Sequence, residues 1–205
     1  MEKLKAGLFY SLGSIYLSKN LLDNPEPKIL HISDTPTVLY SQLKRIITKI
    51  QPEYIIHTGD LVDNIKLSIY PSRIDEYSNG VDELIEILES SSAKEIHITL
   101  GNHDNKNIVR NFTNRSTVYE KNAVINIGNI SLKISHYSND FIISPSNFNL
   151  FGHDISLGSQ VINGKVFLNG IQNINIIALN SKKVFSLPYP IGTNESRLGK
   201  FKIGM

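Results

Sequence analysis

Tyr54-Ile55-Ile56-His57-Thr58-Gly59-Asp60-Leu61-Val62-Asp63 and Ile96-His97-Ile98-Thr99-Leu100-Gly101-Asn102-His103-Asp104 share one pattern. An apolar run of strand length ends in glycine, and side chains with oxygen or imidazole donors follow. β-branched residues favour strands, and Gly and Asp favour the turn after them. Such side chains stand at the carboxyl edge of a sheet, where open α/β sheets bind ligands. A third run, Ile29-Leu30-His31-Ile32-Ser33, delivers Asp34 in the same way.

Helical spacing separates these runs. Leu39, Leu43, Ile46, Ile47 and Ile50 predict a helix over Val38 to Ile50, closed by Pro52. Thr35 can cap it, and proline at 36 suits a first helical position. Val81, Leu84, Ile85 and Leu88 predict a second helix over Ile74 to Leu88. Strands alternating with helices imply a parallel sheet, on whose edge the donors converge. Beyond Asn111 short strands succeed one another: Ala123–Ile127, Ile130–His136, Asn147–Phe151, Gln160–Ile162, Lys165–Leu168, Ile174–Leu179 and Lys183–Leu187. Gly128-Asn129 and Asn163-Gly164 are hairpin signals. This half reads as a mostly antiparallel sheet packed on the first. The fold class expected is α/β, a four-layer α/β/β/α sandwich of two mixed sheets flanked by helices.

The chain has 205 residues, 40% of them hydrophobic, which fits a single globular domain. The expected organisation is an N-terminal helical extension over 1–24, a core over 28–187 and a C-terminal tail over 188–205. Leu4, Leu8, Leu12, Ile15 and Tyr16 share one helical face and predict a helix packed on its own domain. A net charge of +2 without a Lys/Arg stripe gives no nucleic-acid surface. The absence of cysteine restricts metal ligands to His and oxygen donors. The longest uncharged run, Ala6 to Ser18, is too short to span a bilayer. No small-residue cleavage site follows it, and a cytoplasmic location is expected.

Gly-Asp after a strand is by itself often only a turn. Here Asp34, Gly59-Asp60, Gly101-Asn102-His103-Asp104, His136 and Gly152-His153 each follow a predicted strand, and in this order the chain resembles the calcineurin-like metallophosphoesterase superfamily. The resemblance runs from about Ile29 to Ile155. It implies that Asp60 bridges two metals and that Asn102, His136 and His153 complete one site. Two oxygens and two imidazoles suit a borderline divalent ion such as Mn, Fe, Zn or Ni. It implies that His103 protonates the leaving oxygen, that Asp104 orients its ring, and that Asp63 orients a ligand from behind.

Two departures fall on the other metal position. The superfamily's Asp-x-His is Asp34-Thr35-Pro36 here, and its Gly-His-x-His is Gly152-His153-Asp154-Ile155. Asp34 and Asp60 alone make a poor zinc site. A second ion there is expected to be weak or conditional. Asp154 is the better candidate for a replacement ligand, whereas His31, His57 and His97 are read as structural. Asn64-Ile65 after Asp63, and Asp104 where the phosphoprotein branch has Glu, argue against that branch. The function implied is a metal-dependent phosphoesterase, more specifically a phosphodiesterase acting on a small phosphoester through an activated water. The alternative is a catalytically degenerate member that binds a ligand or partner.

Overall fold

The computed structural model describes residues 2–197. An N-terminal helix α1 (Glu2–Ser11) and a single turn α2 (Lys19–Leu22) precede the core. The first sheet is built from β1 (Lys28–Ile32), β2 (Tyr54–His57), β3 (Glu95–Thr99) and β4 (Thr117–Tyr119), all parallel. Their connections carry α3 (Tyr40–Ile50), α4 (Ile74–Glu89) and α5 (Lys106–Phe112). The second sheet holds β5 (Ala123–Ile127), β6 (Ile130–Ile134), β7 (Phe148–Phe151), β8 (Gln160–Ile162) and β9 (Lys165–Asn169). The chain then returns to the first sheet as β10 (Asn173–Ala178) and β11 (Val184–Pro188), and α6 (Thr193–Arg197) follows. The result is two mixed sheets flanked by helices, ordered β11-β10-β1-β2-β3-β4 and β5-β6-β7-β9-β8.

Strand alternation explains the layers. On β1, Leu30 and Ile32 enter the core under the helices, while Ile29 enters the core between the sheets. On β2, Ile55 and Ile56 divide in the same way. Strands buried on both faces read as continuous apolar runs, as parallel strands do. α3 buries Leu43, Ile46, Ile47 and Ile50, the positions its spacing predicts. Gln51 ends it in a left-handed turn, φ 44°.

The second sheet departs from the antiparallel expectation. Only β5–β6 and β8–β9 are antiparallel, whereas β6–β7 and β7–β9 are parallel. The two hairpins are those signalled by Gly128 and Asn163-Gly164, all at positive φ. Between β6 and β7 the 3₁₀ segment Ser138–Phe141 carries the chain back to the starting end, which a parallel pair requires. It also covers the sheet's outer side, where Phe141 meets Phe151 and Phe167. β10 and β11 leave for the first sheet because β10 is apolar on both faces, with Ile174 and Ile176 in one core and Ile177 in the other.

The N-terminal helix also differs from expectation. It ends at Ser11, and Gly13 (φ 67°) turns the chain. Leu8 and Leu12 are 60% and 73% exposed, whereas Ile15 is buried from the irregular segment after the helix. The side chain of Leu4 lies outside the described ones. No described helix is long and apolar enough to cross a membrane.

Candidate metal centre

The parallel register sets Ile32 beside His57 and His57 beside Ile98, so three strands end at one level. The loops beyond them continue the pairing. Asp34 N–H donates to Gly59 O (2.9 Å), Thr35 N–H to Asp60 O (3.0 Å) and Asp63 N–H to Thr35 O (3.1 Å). Asp34 (φ 49°), Asp60 (φ 55°) and His153 (φ 64°) are each left-handed, a conformation uncommon for residues other than glycine. Such outliers concentrate at functional sites. Gly59 lets the loops close, since a Cβ there would lie 2.7 Å from both Gly101 N and His136 Nδ1.

Four donors converge. His136 Nε2 lies 3.1 Å from Asn102 Oδ1 and 3.4 Å from Asp60 Oδ2. One donor atom each from Asp60, His136 and His153 lie within 4.8 Å of one another. Ligands about 2.1 Å from a tetrahedral ion stand about 3.4 Å apart, so this donor set could hold a divalent cation. His136 Nδ1 donates to Thr58 O at 2.7 Å, which directs Nε2 to the site. Burial raises the Asp60 carboxyl, but the His136 contact and the His103 N–H outweigh it and hold it at about 2. Burial likewise opposes charge on His136, and Asp60 overrides it, lifting the imidazole to about 9. A metal held at Nε2 would have to displace that proton.

The positions that the resemblance assigns to a second metal offer fewer donors. Pro36 is buried and Ile155 is 41% exposed, and neither offers a donor. Thr35 does not cap the helix. Its Oγ1 meets His57 Nε2 at 2.9 Å, Pro36 is itself the cap residue of a 3₁₀ turn, and Asn64 Oδ1 accepts from Thr37 N–H instead. Asp34 Oδ2 accepts from Ser33 Oγ (2.6 Å) and His153 N–H (3.1 Å). Burial first, then Asp60, raises the Asp34 carboxyl, against the pull of His136. Asp154 Oδ1 accepts from Ser156 N–H and Oγ, and Asp154 stands in neither group of candidate metal ligands.

His103 stands beside this centre with Asp60 and Asp63, all three offering atoms within 4.8 Å. Its N–H donates to Asp60 Oδ1 at 2.8 Å. Asp104 corrects the expected ring-orienting role. Its carboxylate accepts from Asp60 N–H, Leu61 N–H, Gly101 N–H and Tyr77 O–H, at 2.8 to 2.9 Å. The His103 ring is held instead by Ser68 Oγ, 2.5 Å from Nδ1. Asp63 pairs with Lys66 Nζ at 2.5 Å, while its Oδ2 is buried without a partner among the described residues.

Ser68, Lys66, Tyr77 and Tyr137 were not singled out from sequence. Tyr137 stands edge-on to His136 and His153, with centroids 4.9 and 4.8 Å away. Arg197, from the stretch assigned to the tail, is buried and donates to Asp34 O at 3.2 Å while its guanidinium lies 4.2 Å over the Tyr189 ring. Tail residues 198–205 lie outside the described residues. The remaining histidines are structural. His31 Nε2 meets Thr58 Oγ1, and His97 bridges Tyr119 and Glu95.

The sequence profile described as calcineurin-like phosphoesterase matches residues 27–198. The chain belongs to the calcineurin-like phosphoesterase family. No curated protein sequence matches it. Among solved structures, the chain is similar to a novel archaeal phosphodiesterase, at 16% identity and TM-score 0.55, covering 78% of this chain and 98% of that one. It is similar to Yfce, a phosphoesterase from E. coli, at 12% identity and TM-score 0.54, covering 79% and 98%. Vacuolar Protein Sorting 29 from Cryptosporidium parvum aligns at 15% identity and TM-score 0.44, covering 78% and 95%. The first two likenesses bear on the fold. The family implies use of a divalent metal, and the donor set above suits one.

Proposed function

We propose that this family member is a metal-dependent phosphodiesterase acting on a small phosphoester from one firmly held divalent ion. The observation that carries it is the convergence of Asp60, Asn102, His136 and His153, with Nε2 of His136 directed inward by the Thr58 carbonyl. These four residues would hold the ion, and Mn²⁺ is the first to try. Bound there, a divalent cation supplies Lewis acidity toward a phosphoryl oxygen and makes a water more acidic. One carboxylate among neutral ligands leaves net positive charge, which favours an anionic substrate.

His103 supplies the acid. With Nδ1–H donated to Ser68 Oγ, the transferable proton of the imidazolium stands on Nε2. Passing it to the leaving oxygen leaves a neutral ring whose tautomer Ser68 already supports. Asp34 holds His153 through its N–H and offers a carboxylate beside that of Asp60 at the weak position. Asp104 positions the Gly59–Leu61 and Gly101 backbones and does not touch the reacting atoms.

The test is to strip the protein of metal, titrate Mn²⁺ and follow hydrolysis of an aryl phosphodiester beside His103→Ala. Metal-dependent turnover that is lost in the variant supports the proposal. Turnover absent at every metal level, or indifferent to His103, overturns it in favour of the degenerate binding protein, the reading that Pro36 and Ile155 favour.

A further inference from the structure

Asp34, Asp60 and Asp63 are each at most 2% exposed and close enough to act on one another. Buried carboxylates stay ionised only with positive charge nearby. One metal held by Asp60 and its neighbours would answer Asp60. The position that would draw in a second ion has Pro36 and Ile155 in place of donors.

Lys66 brings a positive charge to this group at Asp63, whose carboxylate lies with Asp60 and His103. The backbone enters the left-handed region at Lys66 (φ 51°), and Nζ reaches Asp63 Oδ1 at 2.5 Å. A lysine ammonium has three donors. Asp63 is the one partner of Nζ among the described residues, which leaves two N–H groups for a ligand. The side chain is 24% exposed, so solutes reach it, and its charge is felt at His103. An ammonium is a point-charge binder of phosphate.

We infer that Lys66 stands in for the second metal ion: a cation supplied by the chain, which binds the phosphoryl oxygens of an anionic phosphoester beside His103. This rests on the phosphoesterase reading. It predicts a centre with one divalent ion per chain, in which Lys66 serves substrate and product binding. The segment Lys66-Leu67-Ser68 then serves the site at both ends, with the ammonium on the phosphoryl group and Ser68 on the His103 ring.

The test measures inorganic phosphate binding by calorimetry on Mn²⁺-loaded protein, together with metal content per chain. Lys66→Met is expected to weaken phosphate binding about 10- to 100-fold, as loss of a charged hydrogen bond does, with one ion retained. Lys66→Arg is expected to recover most of it. Unchanged phosphate affinity in folded Lys66→Met, or two tightly held ions per wild-type chain, overturns the inference. If Lys66→Met fails to fold, Asp63→Asn/Lys66→Met removes both charges of the pair and is measured in its place. Aryl phosphodiester hydrolysis by the wild type runs in parallel. Lys66-dependent phosphate binding without turnover defeats the enzyme reading and leaves the anion site standing.

Discussion

Oδ2 of Asp104 accepts the backbone N–H of Asp60 and that of Gly101, both at 2.8 Å, so one carboxylate clamps the two strand-end loops together. Oδ1 takes Leu61 N–H and Tyr77 O–H. Burial first, then Asp60, raises this carboxyl to about 6. The clamp therefore works against a like charge that it must hold close. Asp104→Ala would strand four donors and is expected to destabilise the fold by about 3 kcal/mol. Thermal melts of metal-free protein should show a drop of about 6–12 °C. Asp104→Asn keeps one acceptor oxygen and should fall between. A melt unchanged in Asp104→Ala would mean the clamp is replaceable.

The donors should separate by metal affinity. His136→Ala removes an inward-directed nitrogen, and Asp60→Ala removes the carboxylate, so neither variant should retain an ion through dialysis. Asp34→Ala leaves all four donors in place and loosens the His153 backbone and Ser33 Oγ. Changes behind a ligand typically cost about 10- to 100-fold in affinity or rate. Metal analysis after dialysis against graded chelator reads this order. Equal loss in all three variants would make Asp34 a ligand of the tight ion.

How much of this was legible in the sequence follows from how local each signal was. Apolar runs ending in Gly59-Asp60 and Gly101-Asn102 carry their own strand, turn and donor, and parallel register does the rest. The helices of α3 and α4 were legible because their buried residues repeat at helical spacing. The second sheet's pairing was not, because direction depends on where the Ser138–Phe141 crossover returns the chain, and no local pattern states that. Within the site, Asp104 adjoins His103 in sequence, yet its carboxylate points to the other loop. Adjacent residues on a turn commonly diverge. Lys66 and Ser68 follow Asp63 closely, and their contacts to Asp63 and His103 depend on a left-handed turn at Lys66 that no local pattern announces. Arg197 has no local signal, since its partners Asp34 O and Ile171 O are distant in sequence.

Ser68 holds the ring that is proposed to give up a proton, so it acts as a positioning residue. Ser68→Ala should lower kcat about tenfold with KM little changed, because the lost contact matters to proton transfer more than to binding. His103→Ala should cost about 10²- to 10⁴-fold, the usual worth of a general acid. Burial lowers the His103 pKa, Asp60 opposes that, and Lys66 adds to it. The rate should therefore fall on the alkaline side as His103 loses its proton. In Ser68→Ala that limb should move to lower pH, since the charged ring loses an acceptor. An unmoved limb would make Ser68 merely structural.

His31 makes stability depend on acid. Its ring is fully buried, with Nε2 at Thr58 Oγ1 and Nδ1 accepting from Asn175. Burial, then nearby His57, lowers its pKa to about 3, against 6.5 for the free side chain. Between those values the unfolded chain binds a proton that the folded chain refuses. Stability from this group is therefore complete above 6.5 and falls as pH drops, at about 1.4 kcal/mol per pH unit. His31→Gln keeps a polar group without the titration. It should be the less stable protein at about pH 7.5, and its deficit should shrink as both are taken to about pH 5. Other titrating groups, His57 among them, are present in both chains and largely cancel in the difference. Denaturant midpoints of the metal-free proteins at both pH values measure it. A deficit that stays constant would show that His31 is protonated in the fold, with Asn175 turned to offer its carbonyl.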